Sequence, residues 1–158
     1  MFRQMRRLKQ QVSDDVCKNI LQEEKRGVLS VLGDDGYPYG IVLDYYYDAD
    51  KNKIYFHGAK EGHKIDSLKK CNKCSFVVMN KGYKEDNSWI WHITSVVCFG
   101  KIRFVNDKDE FVPLLRKIGN KYYPNKKEVE KEIEETINRV QILELNIEHM
   151  TGKLVKES

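Results

Sequence analysis

Residues able to do chemistry crowd into one stretch of this sequence, Ile54 to Lys64, which reads IYFHGAKEGHK. A short β-rich run ends in His57-Gly58, a small polar loop follows, and the basic pair His63-Lys64 opens a helix. The layout suits an anion. Glycine lets backbone amides approach closely, unpaired N–H groups at a helix start point toward the ligand, and lysine supplies charge. A ligand with one terminal phosphate and a flat ring system would match it. The stretch has neither P-loop nor GxGxxG spacing, and a plain β-to-α turn with solvated basic residues shares its pattern.

The elements that position this stretch can be read on either side of it. Ser13-Asp14-Asp15 reads as a helix cap with two acids in the first turn, followed by Val16, Cys17, Ile20 and Leu21 on one face. That helix should end near Arg26-Gly27. Residues 27–32 are β-like, and Asp34-Asp35-Gly36 is a hairpin turn. The return strand runs from Tyr39 to Tyr47, and a turn over residues 48–52 feeds a strand over 53–57, so that three segments form a meander. A helix from Glu61 carries Ile65 and Leu68 inward. Strands follow over residues 74–79 and 92–105, with a polar loop over 80–90 between them and a bulge expected at Gly100. Asp107 starts a helix, a charged helix runs over 126–138, and residues 140–147 make the last strand. Six strands in hairpins with helices between them predict a mainly β fold with peripheral helices, a closed barrel with helices packed outside.

Bulk composition agrees with one ordinary domain. The chain has 158 residues, 41% of them hydrophobic and 33% charged, long enough to bury one core. No apolar run approaches the ~18–20 residues that span a bilayer, and MFRQMRRLKQQ has no apolar core of a secretory signal, so a cytoplasmic protein without a membrane partner is expected. Arg3, Arg6, Arg7 and Lys9 form a basic arm. The net charge of +4 and the lack of a nucleic-acid-binding signature argue against a nucleic-acid partner. Of four cysteines, Cys71 and Cys74 make one CxxC, which closes a helix and enters a strand. One such pair supplies half of a zinc site, so no metal is expected and the cysteines are read as reduced and structural.

Six segments in order carry a resemblance: FRQMRRLKQQVSDD, RGVLSVLGDDGYPYGIVLDYYYD, IYFHGAKEGHKIDSL, CSFVV, TSVVCFGKIRFV and IEHMTGK. Together they resemble the 5-nitroimidazole-resistance (Nim) family of the pyridoxamine-phosphate-oxidase-like, FMN-binding split-barrel superfamily. The resemblance implies a six-stranded split β-barrel and a homodimer holding FMN at the subunit interface. It puts the FMN phosphate on His57, Gly58, His63 and Lys64. Related oxidases favour Arg-Lys where this chain has His63-Lys64, which leaves Lys64 as the stronger phosphate ligand. It lays the isoalloxazine edge along Val42, Leu43, Asp44 and Tyr45, read through backbone groups, with Ser95 and Val96 as a further part of the rim. A carboxylate at Asp44 beside a flavin would disfavour an anionic reduced ring; the alternative is a side chain pointing out from the barrel wall.

The same resemblance makes His57 the catalytic or substrate-facing histidine, donating a proton to a nitro or carbonyl oxygen of a small-molecule electron acceptor. The alternative is a ring that only hydrogen-bonds the ribityl phosphate or a carbonyl. His149 is expected to pack at the dimer interface, while His92, Trp89 and Trp91 are given no role. The implied activity is an FMN-dependent reductase of nitroimidazole-type or other small acceptors. Two alternatives stand beside it. One is a pyridoxamine 5'-phosphate oxidase, disfavoured because those enzymes resemble this fold with a further C-terminal segment bearing Trp and Arg. The other is a non-catalytic flavin- or haem-binding protein, since fold alone does not set function.

Overall fold

Ser13 accepts a hydrogen bond from the Val16 amide at 3.4 Å and so starts α1 (Asp14–Glu23) at the capping signal. The computed structural model describes residues 1–157. Around α1 stand β1 (Gln11–Val12), β2 (Arg26–Leu32), β3 (Pro38–Asp44), β4 (Tyr46–Asp48) and β5 (Lys53–Ala59). Next come α2 (His63–Lys70), β6 (Lys73–Met79), β7 (Tyr83–Lys84) and β8 (Trp91–Val105). The chain then forms α3 (Lys108–Tyr122), α4 (Lys126–Thr136) and β9 (Val140–Glu157). No helix among the described residues is long and apolar enough to cross a membrane.

All strand pairs are antiparallel, in the order β3-β2-β6-β8-β9-β5-β4, with β1 added to β9 and β7 to β8. The two end strands of this order, β3 and β4, are consecutive in the chain and separated only by Tyr45. A sheet whose opposite edges meet at one residue must curl on itself, and the result is a split β-barrel, open where β3 and β5 share no ladder. Here the structure corrects the sequence reading. The return strand breaks at Tyr45, so the expected meander is replaced by two hairpins, β2–β3 and β4–β5, at opposite ends of the sheet.

The joint is held from outside. The Tyr45 amide donates to the Tyr122 hydroxyl at 2.8 Å, and the Tyr45 carbonyl accepts from Lys121 Nζ at 2.9 Å. Lys121 also donates to the Glu24 carbonyl at 2.7 Å and lies 3.8 Å from the centre of the Tyr45 ring. The single Tyr122 proton has two acceptors in reach, the carbonyls of Lys25 at 2.6 Å and Tyr45 at 2.7 Å. Burial lowers the Lys121 pKa to about 8, which this set of carbonyls and one aromatic face accommodates.

Period-2 alternation sorts the side chains into two cores. Ile54 and Phe56 of β5 and Leu143 and Leu145 of β9 point into the barrel, where α1 and α2 close the ends with Leu21 and Leu68. Phe56 and Tyr45 each meet Phe76 edge-on, at 4.9 and 5.0 Å between ring centres. Tyr55 and Ile142, one residue out of phase, point outward against Leu114, Leu115 and Ile118 of α3 and Val129 of α4. The α3–α4 hairpin is thus a second layer laid on the outer face of β5 and β9. Cys17, Cys74 and Cys98 are buried free thiols; burial pushes Cys74 and Cys98 up to about 12, so they pack as inert apolar groups.

Other differences from the sequence reading are local. The expected six strands are nine, because the return strand divides at Tyr45 into β3 and β4, the polar loop contains β7, and β1 adds to β9. The last strand does not stop at Ile147 but continues through residues 148–157, paired with β8 along its length. The register shifts at the expected position, between Phe99 and Gly100, but the extra residue is Glu148 on β9. A Cβ on Gly100 would run into the Asn146 carbonyl.

Two outcomes test these constraints. Replacing Tyr122 by Phe leaves the buried Tyr45 amide without its acceptor and should cost roughly 1–3 kcal/mol in chemical denaturation. The second concerns Glu144, buried at 4% exposure on the outer face of β9. Burial by itself would raise its pKa, but hydrogen bonds from Arg103 at 2.8 Å and Lys53 at 2.9 Å outweigh that and hold it at about 2. A carboxylate depressed on folding stabilises the protein above its unfolded pKa of 4.5 and loses that contribution as pH falls toward 2. The stability difference between wild type and Glu144→Gln should therefore be largest at neutral pH, on the order of 2–3 kcal/mol, and should shrink below pH 4.5.

Candidate functional site

Across the split of the barrel, β3 and β5 bring Asp44 and His57 to the same side. Both side chains point outward, and both border a cavity of ≈ 180 Å³ beneath the α3–α4 hairpin. One wall of the cavity is apolar, from Leu115, Ile118, Val129 and Ile133. The Asp44 carboxylate is bonded at 2.8 Å to Arg26, its cross-strand neighbour on β2. His57 stays exposed on one side while packing on the other lowers its pKa from 6.5. Asp44 opposes that shift, and Lys64 adds to it. At neutral pH the ring is mostly the free imidazole, and one of its nitrogens can accept a proton.

Gly58, the next residue, faces the other way, and there the strand meets α2. A Cβ at Gly58 would stand 3.0 Å from Lys64 Nζ, so the ammonium lies against bare backbone. Burial lowers the Lys64 pKa. Among the described residues Lys64 makes no ion pair. Helix α2 begins after Gly62, whose φ of 122° favours glycine and which gives no side-chain cap. Its first amides are left for another acceptor. His57 and Lys64 are thus close enough to affect each other, but on opposite faces of β5.

The remaining sequence candidates divide. Val42 points outward like Asp44 and is 65% exposed. Leu43 and Tyr45 point inward and offer only backbone. The Leu43 backbone belongs to an edge strand, since β3 has a partner on one side alone, whereas the Tyr45 amide and carbonyl are taken by Tyr122 and Lys121. His63 is turned away from Lys64: its ring stacks on Tyr39 at 4.1 Å between centres, with Nε2 3.6 Å from an Asp34 carboxylate oxygen. Ser95 and Val96 lie on β8, with β2 and β6 between it and β3, up to about 14 Å away along the sheet. Val96 is moreover fully buried in the barrel. Within one chain, then, Asp44, His57, Gly58 and Lys64 come together, and His63, Ser95 and Val96 do not join them. Phe2 stacks over His149 and its cross-strand neighbour Phe99, with ring centres 4.8 and 5.7 Å away.

Sequence reasoning missed the helical wall, above all Tyr122 and Glu132. A signal existed: Leu115, Ile118, Gly119 and Tyr122 recur at helical spacing, which puts Tyr122 on the barrel-facing side of α3. Nothing in the sequence said which barrel strand that side would meet.

The split barrel thus has a half-buried lysine on one face of β5 and His57 with Asp44 on the other. By sequence the chain belongs to the pyridoxamine 5'-phosphate oxidase family, whose model matches residues 13–154. Solved structures of like fold include a candidate 5-nitroimidazole antibiotic resistance protein from Bacteroides thetaiotaomicron, 21% identical, at a TM-score of 0.76 over 92% of this chain and 87% of that one. The flavocytochrome Anf3 from Azotobacter vinelandii matches at 0.75 and 17% identity, over 98% and 75% of the two chains. An FAD binding protein from Mycobacterium smegmatis matches at 0.69 and 13%, over 94% and 99%. At these identities the likeness is one of fold. No curated protein sequence matches this chain.

The electrostatics around His57 have a direct check. Its imidazole resonances in an NMR titration should show a midpoint below 6.5. Asp44→Asn should move that midpoint further down, because the Asp44 charge favours the imidazolium, and Lys64→Met should move it up.

Proposed function

We propose that this protein is an FMN-binding oxidoreductase that reduces a small organic acceptor, of nitroimidazole type or similar, and works as a homodimer. The observation that carries the reading is the pairing of two sites through β5: a half-buried, unpaired Lys64 over Gly58, and His57 on the opposite face. Family membership supports a flavin, as do the FAD binding protein and the flavocytochrome among the similar structures. The candidate nitroimidazole-resistance protein supports the acceptor class.

The residues present fit a phosphate-bearing cofactor. A Cβ at Gly58 would intrude on the space beside Lys64 Nζ, and a lysine with no acid near it at an uncapped helix start is a suitable partner for a phosphate. In this reading Lys64 and the first α2 amides bind the phosphate, with His63 further out. The free edge of β3, from Val42 to Asp44, offers N–H and C=O groups to the ring system; the Tyr45 peptide groups are already taken by Tyr122 and Lys121. FMN held there would supply two-electron redox chemistry for a small acceptor. His57 holds and donates the proton that the reduced acceptor oxygen takes up, and Asp44 favours the imidazolium that gives it. Ser95 and Val96 reach such a ligand only from a second subunit.

A second subunit has a surface to occupy. On the outer face of the barrel Val42, Val28, Val77 and Val97 stand side by side across four strands. Val28 and Val42 are exposed, as is Met79 nearby. An apolar row of this kind fits a self-complementary interface.

The purified protein should be yellow, release FMN on denaturation, and sediment at twice its chain mass. A Soret band instead would favour a haem-binding role, and a released FAD would correct the cofactor. Lys64→Ala should weaken FMN binding by roughly 1–3 kcal/mol. His57→Ala should keep the cofactor but lower nicotinamide-dependent turnover by about 10²–10⁴-fold. Unchanged turnover would remove His57 from the chemistry.

A further inference from the structure

The cavity beneath the α3–α4 hairpin has properties beyond the presence of His57. An apolar protein cavity of roughly 150 Å³ is known to take up benzene, so a volume of ≈ 180 Å³ suits one substituted ring and little more. Leu115, Ile118 and Ile133 offer that ring a flat apolar wall.

The polar side has one sign. Asp44 and Glu132 both line the cavity, and among the described residues no lysine or arginine does. The cations nearby are directed elsewhere. Arg26 is paired with Asp44 and does not line the cavity, Lys121 is held by two carbonyls and the Tyr45 ring, and Lys64 lies on the opposite face of β5. The cavity also receives the C-terminal turn of α3, through Gly119, Tyr122 and Tyr123, where the helix dipole is negative. A phosphate or carboxylate placed here would face two carboxylates and a helix C-terminus, with His57, mostly uncharged at neutral pH, as the one basic side chain in the lining.

We infer that this cavity is a specificity pocket for uncharged or cationic single-ring molecules, and that it excludes rings bearing phosphate or carboxylate. The inference rests on the reading of His57 as the group that faces the acceptor, and it assigns the acceptor's class. It also separates this chain from the phosphorylated substrate that its family's name denotes: the phosphate-suited face of β5, at Lys64, serves the cofactor, and the helix-covered face has no second anion site.

Three probes that share one ring test this: benzylamine, benzyl alcohol and benzoate, each titrated by ligand-observed NMR into the purified flavin-loaded protein. Benzylamine and benzyl alcohol should bind, with benzoate weaker by about tenfold. Glu132→Lys, a change at an exposed position, should erase or invert that order. Thr136→Trp should abolish binding of all three with circular dichroism unchanged. Equal affinity for benzoate and benzylamine, no binding of any probe, or an order unmoved by Glu132→Lys would overturn the inference. Flavin content and nicotinamide-dependent turnover are read on the same samples. A charge ranking in protein that takes no flavin removes the redox reading and keeps the pocket. Flavin and turnover without a ranking keep the redox reading and remove the pocket's assignment.

Discussion

One residue joins the two ends of the sheet, and the barrel depends on it. Tyr45 is all that separates β3 from β4 along the chain, while five other strands separate them through hydrogen bonds. Its amide and carbonyl therefore cannot both be satisfied by strand pairing, and a buried peptide group without partners would oppose folding. Tyr122 and Lys121 of α3 supply those partners. The helix that closes the joint is also the helix that roofs the cavity.

This coupling explains why β5 has different chemistry on its two faces. Inside the split, Gly58 lets Lys64 rest against backbone, so a cation is kept half-buried without an acid beside it. Outside, Tyr55 anchors the helical layer and His57 is left at the cavity's rim, under the influence of Asp44 from across the split. An anion on one face and a small ring on the other would be held one residue apart along a rigid strand, and a strand is a stiffer spacer than a loop. The network of the buried Glu144 with Lys53 and Arg103, extended by Arg103 to Glu110 of α3, ties the same layers at the other end. With its acid so strongly ionised, it keeps α3 registered on the sheet across the physiological range.

Most of the fold was legible in advance where local rules dominate. The Ser13 and Asp107 caps, the Asp34–Gly36 turn, the register shift at Gly100 and the long strand before it are all places where a side chain or a glycine acts within a few residues. The break at Tyr45 was not legible, and the reason is specific. Tyr39, Ile41, Leu43, Tyr45 and Tyr47 keep the same inward phase through the corner, so the side-chain period continues although the hydrogen-bond partners change from β2 to β5. The extension of β9 was hidden likewise, because its pairing comes from β8, far away in sequence. Of the candidate site, Gly58 and Lys64 could be read from their own spacing, since a tight β-to-α turn puts them together. His63 could not be assigned: adjacent helix positions diverge by about 100°, and only the neighbouring hairpin, with Tyr39 and Asp34, decided where its ring went.

The sequence by itself determined which residues could carry chemistry and on what kind of element each would sit, because capping, turn geometry and alternation act over a few residues. Tertiary structure alone decided that His57 and Lys64 lie on opposite faces of one strand. It also decided that Asp44 comes across the split to His57, and that α3 and α4 enclose the space between. Those are contacts between segments some tens of residues apart, set by how a sheet with one single-residue joint must curl and by the helix that satisfies that joint. No local pattern encodes them.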